Sequence, residues 1–243
     1  MEKKFEMNTY FRFTELKILK NTIFVLIMIV SVLAFFFNAK CLSATAACLA
    51  GVSIVLEFCL AKKVKKDFNR LYHTAYFDGL TGIPSRTSAD LYIAECTDPQ
   101  LVSVVVADLD GLKMVNDAYG HQAGDILIQD FAASFSEASA PHGFAARNGG
   151  DEFLAIFRGE NAEEQADTFC RKLRRIVDHK NNTAQYPIHY SIGYASGKEL
   201  QYASTSEIIS LADARMYQQK QEKKSARKMS DGRNLCEINQ HTR

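Results

Sequence analysis

The sequence predicts an α/β sandwich, with helices packed on a mainly antiparallel sheet, preceded by two transmembrane helices. Three observations predict it. Apolar residues crowd roughly the first sixty of the 243 positions and thin out afterwards. Beyond residue 77, segments of helical period alternate with short β-branched runs. Two apolar runs, "GFAAR" (143–147) and "EFLAIF" (152–157), flank a Gly-Gly pair as a hairpin would.

Taking the elements in order, no residue between Lys20 and Lys40 is charged, and "TIFVLIMIVSVLAFFF" is dense in Ile, Val, Leu and Phe. That gap approaches the roughly 20 residues a spanning helix needs. A second run, "CLSATAACLAGVSIVLEFCLA", is richer in small residues and carries Glu57 about one turn from its end. Spans are expected at about 21–38 and 41–61. A signal peptide would start earlier, show a small-x-small cleavage site, and not be followed by a second span. Lys3, Lys4, Arg12, Lys17 and Lys20 precede the first span, Lys62, Lys63, Lys65 and Lys66 follow the second, and only Lys40 lies between. The positive-inside rule then puts both ends in the cytoplasm, so a multi-pass protein of the inner (cytoplasmic) membrane is expected. The net charge of +1 gives no basis for a nucleic-acid partner, and none is expected. Six cysteines without ligand spacing read as reduced thiols.

After the anchor (1–61), Val64, Phe68, Leu71 and Ala75 repeat at a/d spacing over fewer than two heptads. Residues 62–76 are thus either an amphipathic linker or a parallel coiled-coil stalk. The third segment, 77–243, holds the alternating elements. A helix is expected over about Arg86–Cys96, then a strand in "LVSVVVADLD" (101–110), then a polar loop. A helix from about Gly124 sets Leu127, Ile128, Phe131 and Phe135 on one face. The hairpin follows, then a helix carrying Ala166, Phe169, Cys170, Leu173, Ile176 and Val177. "PIHYSIGYA" (187–195) alternates like a strand, and Ser204 with Glu207 can box the start of a helix through Lys220.

The strand delivers Asp108 and Asp110 at its end, and the hairpin delivers Asp151 and Glu152 at its tip. Were those strands neighbours, three or four carboxylates would converge and resist ionisation unless cations sat among them. Hard oxygen ligands of this kind suit Mg²⁺ held together with substrate phosphates, and the glycines would let backbone come close to a phosphate. A calcium loop in "DLDGLKMVND" fails, because glycine is needed sixth and Glu twelfth, whereas Gly111 is fourth and Tyr119 twelfth.

Five stretches in order, "FDGLTGIPSR" (77–86), "DLDGLKMVNDAYGHQAGDILI" (108–128), "RNGGDEF" (147–153), "YSIGYA" (190–195) and "ADARMYQQK" (212–220), resemble the signatures of GGDEF domains, the diguanylate cyclases. The resemblance implies a palm-like nucleotidyl-cyclase fold. It also implies a nucleotidyltransferase that condenses two GTP into cyclic di-GMP with release of two pyrophosphates, acting as a homodimer of half-sites. By resemblance Asp108, the backbone carbonyl of Leu109, Asp151 and Glu152 hold metal, Mg²⁺ or Mn²⁺, two per active site. Asp151, Glu152 and Lys113 are the catalytic set, with Lys113 neutralising charge on the phosphates. Asn116 and Asp125 match the pair that reads guanine, His121 lies beside the nucleoside, Gly149 and Gly150 make room for GTP, and Lys220 contacts phosphate.

The sequence departs from the family pattern in three places. "KQEKKSARKMSDGRN" delays the usual closing element, leaving Lys224 or Arg233 for a phosphate-contacting arginine. Ser85 stands where Asn is common. An Arg-x-x-Asp element that binds product in many relatives would fall on Ala140 and Gly143, which implies weak or no product feedback there. A catalytically silent GTP-binding or dimerisation module is the alternative function, and a membrane adaptor with a purely structural α/β domain is a third.

Overall fold

A computed structural model describes residues 21–33, 40–200 and 204–240, with side chains described for all of these except 40–46 and 227–240. The chain divides into two compact units, Met1–Arg70 and Leu71–Arg243.

In the first unit residues 21–33 are helical (α1). A second helix, α2 (Lys40–Tyr76), runs unbroken through the expected second span and linker. No Pro or Gly-Gly pair interrupts it, so nothing local stops the helix between residues 61 and 62. Phe24, Val52, Ile54 and Phe58 are all at least 60% exposed. Among the described residues no helix is long and apolar enough to cross a membrane. Residues 34–39, the end of the first expected span and the connection after it, lie outside the described residues, as do the side chains of 40–46.

The second unit is built on a four-stranded sheet. The strands are β1 (Val102–Leu109), β2 (Gly143–Arg147), β3 (Glu152–Arg158) and β4 (Tyr190–Ser196), in spatial order β2-β3-β1-β4. All pairings are antiparallel. β1 lies in the middle of the sheet and is buried at every position, which explains its unbroken apolar run. Its residues alternate between two cores. Val105, Ala107 and Leu109 face an aromatic-rich layer with Phe131 and Phe135 of α5 (His121–Ser139) and Phe169 of α6 (Ala162–Asn181). Val102, Val104 and Val106 face a thinner layer with Ala89 of α3 (Arg86–Ala94) and Ile208, Ala212 and Met216 of α7 (Thr205–Gln240). Asp108 continues the second series, so it emerges on the α7 side.

Three expectations about elements change. The polar loop after β1 contains a helix, α4 (Leu112–Tyr119), whose Leu112 and Val115 pack on the aromatic core while Lys113, Met114 and Asp117 face out. Its shortness, two turns between Gly111 and Gly120, hid it. Gly120, at φ 85°, breaks the chain, and α5 restarts at once at His121 and not near Gly124. The last helix does not stop at Lys220 but continues to Gln240, because no proline ends it. Its start is as expected: Ser204 N–H donates to Glu207 Oε2 at 2.7 Å, and Glu207 N–H to Ser204 Oγ at 3.4 Å.

α7 lies close on β4 because Gly193 leaves room for it. A Cβ there would stand 2.2 Å from the Ala212 carbonyl and 2.3 Å from the Met216 nitrogen, so any side chain would push the helix off the strand. Gly193 thereby positions everything α7 presents to the end of β1.

Candidate active site

The antiparallel register sets Asp108 opposite Glu152, and the Leu109 N–H donates to the Asp151 carbonyl at 3.0 Å. The expected meeting of strand end and hairpin tip is therefore present. Asp108 is buried, Asp151 half-buried and Glu152 exposed. Burial, with Asp151 and Asp110 nearby, pushes the Asp108 carboxyl above the usual aspartate range, although a hydrogen bond from Lys220 pulls the other way. Lys220 Nζ stands 2.5 Å from Asp108 Oδ1. For Lys220 burial disfavours the charge, yet hydrogen bonding to Asp108 and the three surrounding carboxylates outweigh it and raise its pKa. Both partners shift upward without contradiction: burial leads at Asp108, while three nearby carboxylates act on Lys220.

The Gly-Gly pair does not use the left-handed backbone its composition offered. The positive-φ glycines are 82, 111, 120 and 159, not 149 or 150. A Cβ on Gly150 would meet nothing within 4 Å, and one on Gly149 would come within 3.0 Å of Glu152 Oε2. At Gly150 neither backbone conformation nor neighbouring atoms within the chain demand glycine, which leaves close approach of another molecule as the physical use for it.

What shapes the tip is Arg147. Its Nε donates to the Gly149 and Gly150 carbonyls at 3.1 and 3.2 Å, and Nη2 donates to Gly150 at 2.7 Å. Nη1 reaches Asp78 at 2.9 Å. Asp78 Oδ1 also accepts from Thr81 N–H at 2.9 Å and from Thr81 Oγ1 at 2.6 Å. Burial opposes the charge on Asp78, but the hydrogen bonds from Thr81 and Arg147 outweigh it and hold the carboxyl below the usual range. Sequence reasoning found the stretches containing both residues but missed the brace. Its one signal was Asp78 four residues before Gly82, a turn whose open carboxylate needs a distant cation.

A second corner lies where α4 meets α5. Asn116 presses on Gly124 so tightly that a Cβ there would fall 2.0 Å from Asn116 Oδ1. That oxygen is buried without a hydrogen-bond partner, an acceptor awaiting a donor. His121 and Asp125 are exposed on the first turns of α5, and Asp125, the fifth residue of the helix, is not its N-cap. Lys113 is exposed in the first turn of α4, with no partner among the described residues.

Lys224 is exposed on α7, while the Arg233 side chain lies outside the described residues. Ser85 is the N-cap position of α3 and donates to the Ala75 carbonyl at 3.2 Å. Ala140 caps α5, and Gly143 opens β2 with its Cα hydrogen against Phe157. A Cβ at 143 would lie 2.4 Å from Phe157 Cε1, so a carboxylate there would need the core to move.

Among the described residues no three His, Cys, Asp or Glu side chains form a ready cage for a metal. The donor set nevertheless fits Mg²⁺, which takes one or two carboxylates and completes its shell with water and substrate phosphates. Burial raises the Asp108 carboxyl and the nearby Asp151 and Asp110 add to it, so a further cation beside these acids would be stabilised there.

The model of the "Diguanylate cyclase, GGDEF domain" family matches residues 75–226. The chain belongs to the GGDEF family. The biofilm architecture maintenance protein MbaA of Vibrio cholerae is 30% identical over 181 residues, covering 67% of this chain and 22% of MbaA. The diguanylate cyclase DgcS of Shewanella oneidensis is 30% identical over 161 residues, 64% of this chain and 53% of DgcS. Among solved structures, the coiled coil and GGDEF domain of DgcB from Caulobacter crescentus, in complex with c-di-GMP, superposes with a TM-score of 0.59 at 26% identity, covering 71% of this chain and 95% of that one. The chain spans about half or less of the length of these two curated relatives. Within the GGDEF fold the acids stand at the β1 end and hairpin tip, and the Asn116 corner lies on the helix pair that follows β1.

Proposed function

We propose that this protein is a membrane-anchored diguanylate cyclase. One observation carries the reading: an intact Gly-Gly-Asp-Glu tip hydrogen-bonded beside a buried Asp108 whose like-charged neighbours leave it short of cation. In the reaction the 3′-oxygen of one GTP forms a bond to the α-phosphorus of a second. The bond from that phosphorus to the β-bridging oxygen breaks, pyrophosphate leaves, and the hydroxyl proton passes to a base. A second such transfer closes the ring.

Asp108, Asp151 and the Leu109 carbonyl are the groups suited to hold Mg²⁺ or Mn²⁺. Glu152, exposed beside them, can complete that set or take the hydroxyl proton. Bound metal would supply Lewis-acid neutralisation of the phosphate charge. Lys113 offers a free cation to the outer phosphates, and Lys220, released from Asp108 when a metal arrives, offers another. The Asn116 oxygen and the Asp125 carboxylate are acceptors, matching guanine's ring N–H and amine, whereas adenine lacks that donor pair.

One domain holding one GTP supplies half a reaction, so two copies must face each other. The Val64, Phe68 and Leu71 side chains, all more than 40% exposed on α2, supply an apolar seam for a second copy. The exposed apolar side chains of α1 and α2 together with the flanking lysines support an inner-membrane anchor with the GGDEF domain in the cytoplasm. The test is GTP turnover by the full chain in detergent micelles, with the product identified by chromatography. Cyclic di-GMP from GTP, and no cyclic dinucleotide from ATP, is expected. GTP binding without turnover would favour the silent module.

A further inference from the structure

β4 is an edge strand, and one stripe of α7 covers its outer edge. Arg215 Nη1 donates to the Tyr194 carbonyl at 2.8 Å, the Ile192 N–H donates to Gln219 Oε1 at 2.8 Å, and Lys223 donates to the Tyr190 carbonyl. Four residues of helix rise about 6 Å and two residues of strand about 6.6 Å, so successive members of the stripe meet alternate strand residues. Lys223 is the member nearest the acids. Its Nζ lies 3.4 Å from Asp110 Oδ2 and 3.4 Å from Ser191 Oγ. Ser191 Oγ lies 3.0 Å from each Asp110 carboxylate oxygen, and the Asp110 N–H donates to the His189 carbonyl at 2.8 Å. Asp110, with its side chain 12% exposed, is thus gripped from both β4 and α7.

We propose that Lys223 is a positioning residue for the acidic site: with Ser191 it holds Asp110 back, so that a divalent cation meets Asp108 and the hairpin-tip acids and not Asp110 as well. The inference rests on the reading of that site as a cation site. A dication that took Asp110 as a further carboxylate ligand would have fewer positions left for phosphate oxygens. Charge pairing with Lys223 and a hydroxyl hydrogen bond from Ser191 keep Asp110 turned to its own partners. Lys223 sits within the run Glu222-Lys223-Lys224, which in the sequence looks like a solvated face.

The test uses the full chain in detergent, without nucleotide, and Mn²⁺ as the probe, its free fraction read by electron paramagnetic resonance. Lys223→Met should bind Mn²⁺ about fivefold more tightly than wild type, chiefly because Asp110 is released toward the cation. In an Asp110→Asn background the same change should have a much smaller effect, that of the lost lysine charge alone, and Lys223→Arg should restore the wild-type value. Mn²⁺ affinity unchanged in Lys223→Met, or a gain that persists undiminished beside Asp110→Asn, overturns the proposal. Should Lys223→Met not fold, Ser191→Ala frees Asp110 without changing charge and must show the same gain and the same dependence on Asp110. Failure of the underlying site reading shows differently: Asp151→Ala would then bind Mn²⁺ as wild type does, and both inferences would fall together.

Discussion

Asp78 and Asp108 are both partly or wholly buried aspartates, each paired with one cation, and they respond in opposite directions. Asp78 meets Arg147 at 2.9 Å and titrates below the usual range, while Asp108 meets Lys220 at 2.5 Å and titrates above it. The difference lies in burial and company. Asp78 collects two hydrogen bonds from Thr81 besides the guanidinium, whereas Asp108 is more deeply buried and has Asp151 and Asp110 as neighbours, which together outweigh its bond from Lys220. A satisfied carboxylate is a strut. An under-compensated one is a place where a further cation gains free energy, so the sign of the shift separates scaffold from site.

The largest effect expected tests the site side. Asp151→Ala or Glu152→Ala should lower cyclic di-GMP formation at least about a hundredfold while moving unfolding free energy by only about 0.5 kcal/mol, since the tip contributes little to the core. Chromatography of product beside urea unfolding checks both halves. A variant that keeps near-normal turnover would remove that residue from the machinery.

The strut comes next. Arg147→Ala strands Asp78 and two glycine carbonyls, and should cost about 1–3 kcal/mol of stability. Turnover should also fall, about tenfold, as the tip loses its shape. Arg147→Lys should restore little, because a single ammonium cannot span Asp78 and both carbonyls at once. Stability lost without any change in turnover would confine the brace to the fold.

A smaller effect lies in the pH dependence of unfolding, measured in EDTA. Asp78 has a lowered folded pKa, so its contribution is present above its ordinary value of 3.8 and is lost as pH falls through the folded value. Asp108 has a raised one, so its contribution is present below 3.8 and is lost as pH rises through the folded value. Stability relative to Asp78→Asn should therefore grow with rising pH, and stability relative to Asp108→Asn should shrink. Curves of the same sign would break the contrast. Mn²⁺ should flatten the second curve alone.

The smallest effect is an expected absence. With Ala140 and Gly143 at the positions in question, and Phe157 pressed against Gly143, added cyclic di-GMP should leave the initial rate nearly unchanged at substrate concentrations well above KM. Strong inhibition that survives raised GTP would place a product site elsewhere on the domain.

Much of this molecule could be read along the chain, for a physical reason: periodicity is local. The buried run of β1, the apolar faces of α5 and α6 and the capping box of α7 each follow from side chains within a few residues of one another. The register of β3 on β1 put Glu152 opposite Asp108, so the meeting of the acids was legible once the two strands were neighbours. α4 was not legible, because two turns between glycines become a helix only when Leu112 and Val115 find the core. Nor was the partnership of each aspartate. Asp78 and Arg147 are 69 residues apart, and Asp108 and Lys220 are 112 apart. A carboxylate in a sequence carries the same charge wherever it stands, and only folding decides which cations and which other acids share its few ångströms of low dielectric. The chain by itself determined that acids would stand at the end of β1 and at the hairpin tip; the tertiary structure made those strands neighbours and decided which acids found cations of their own.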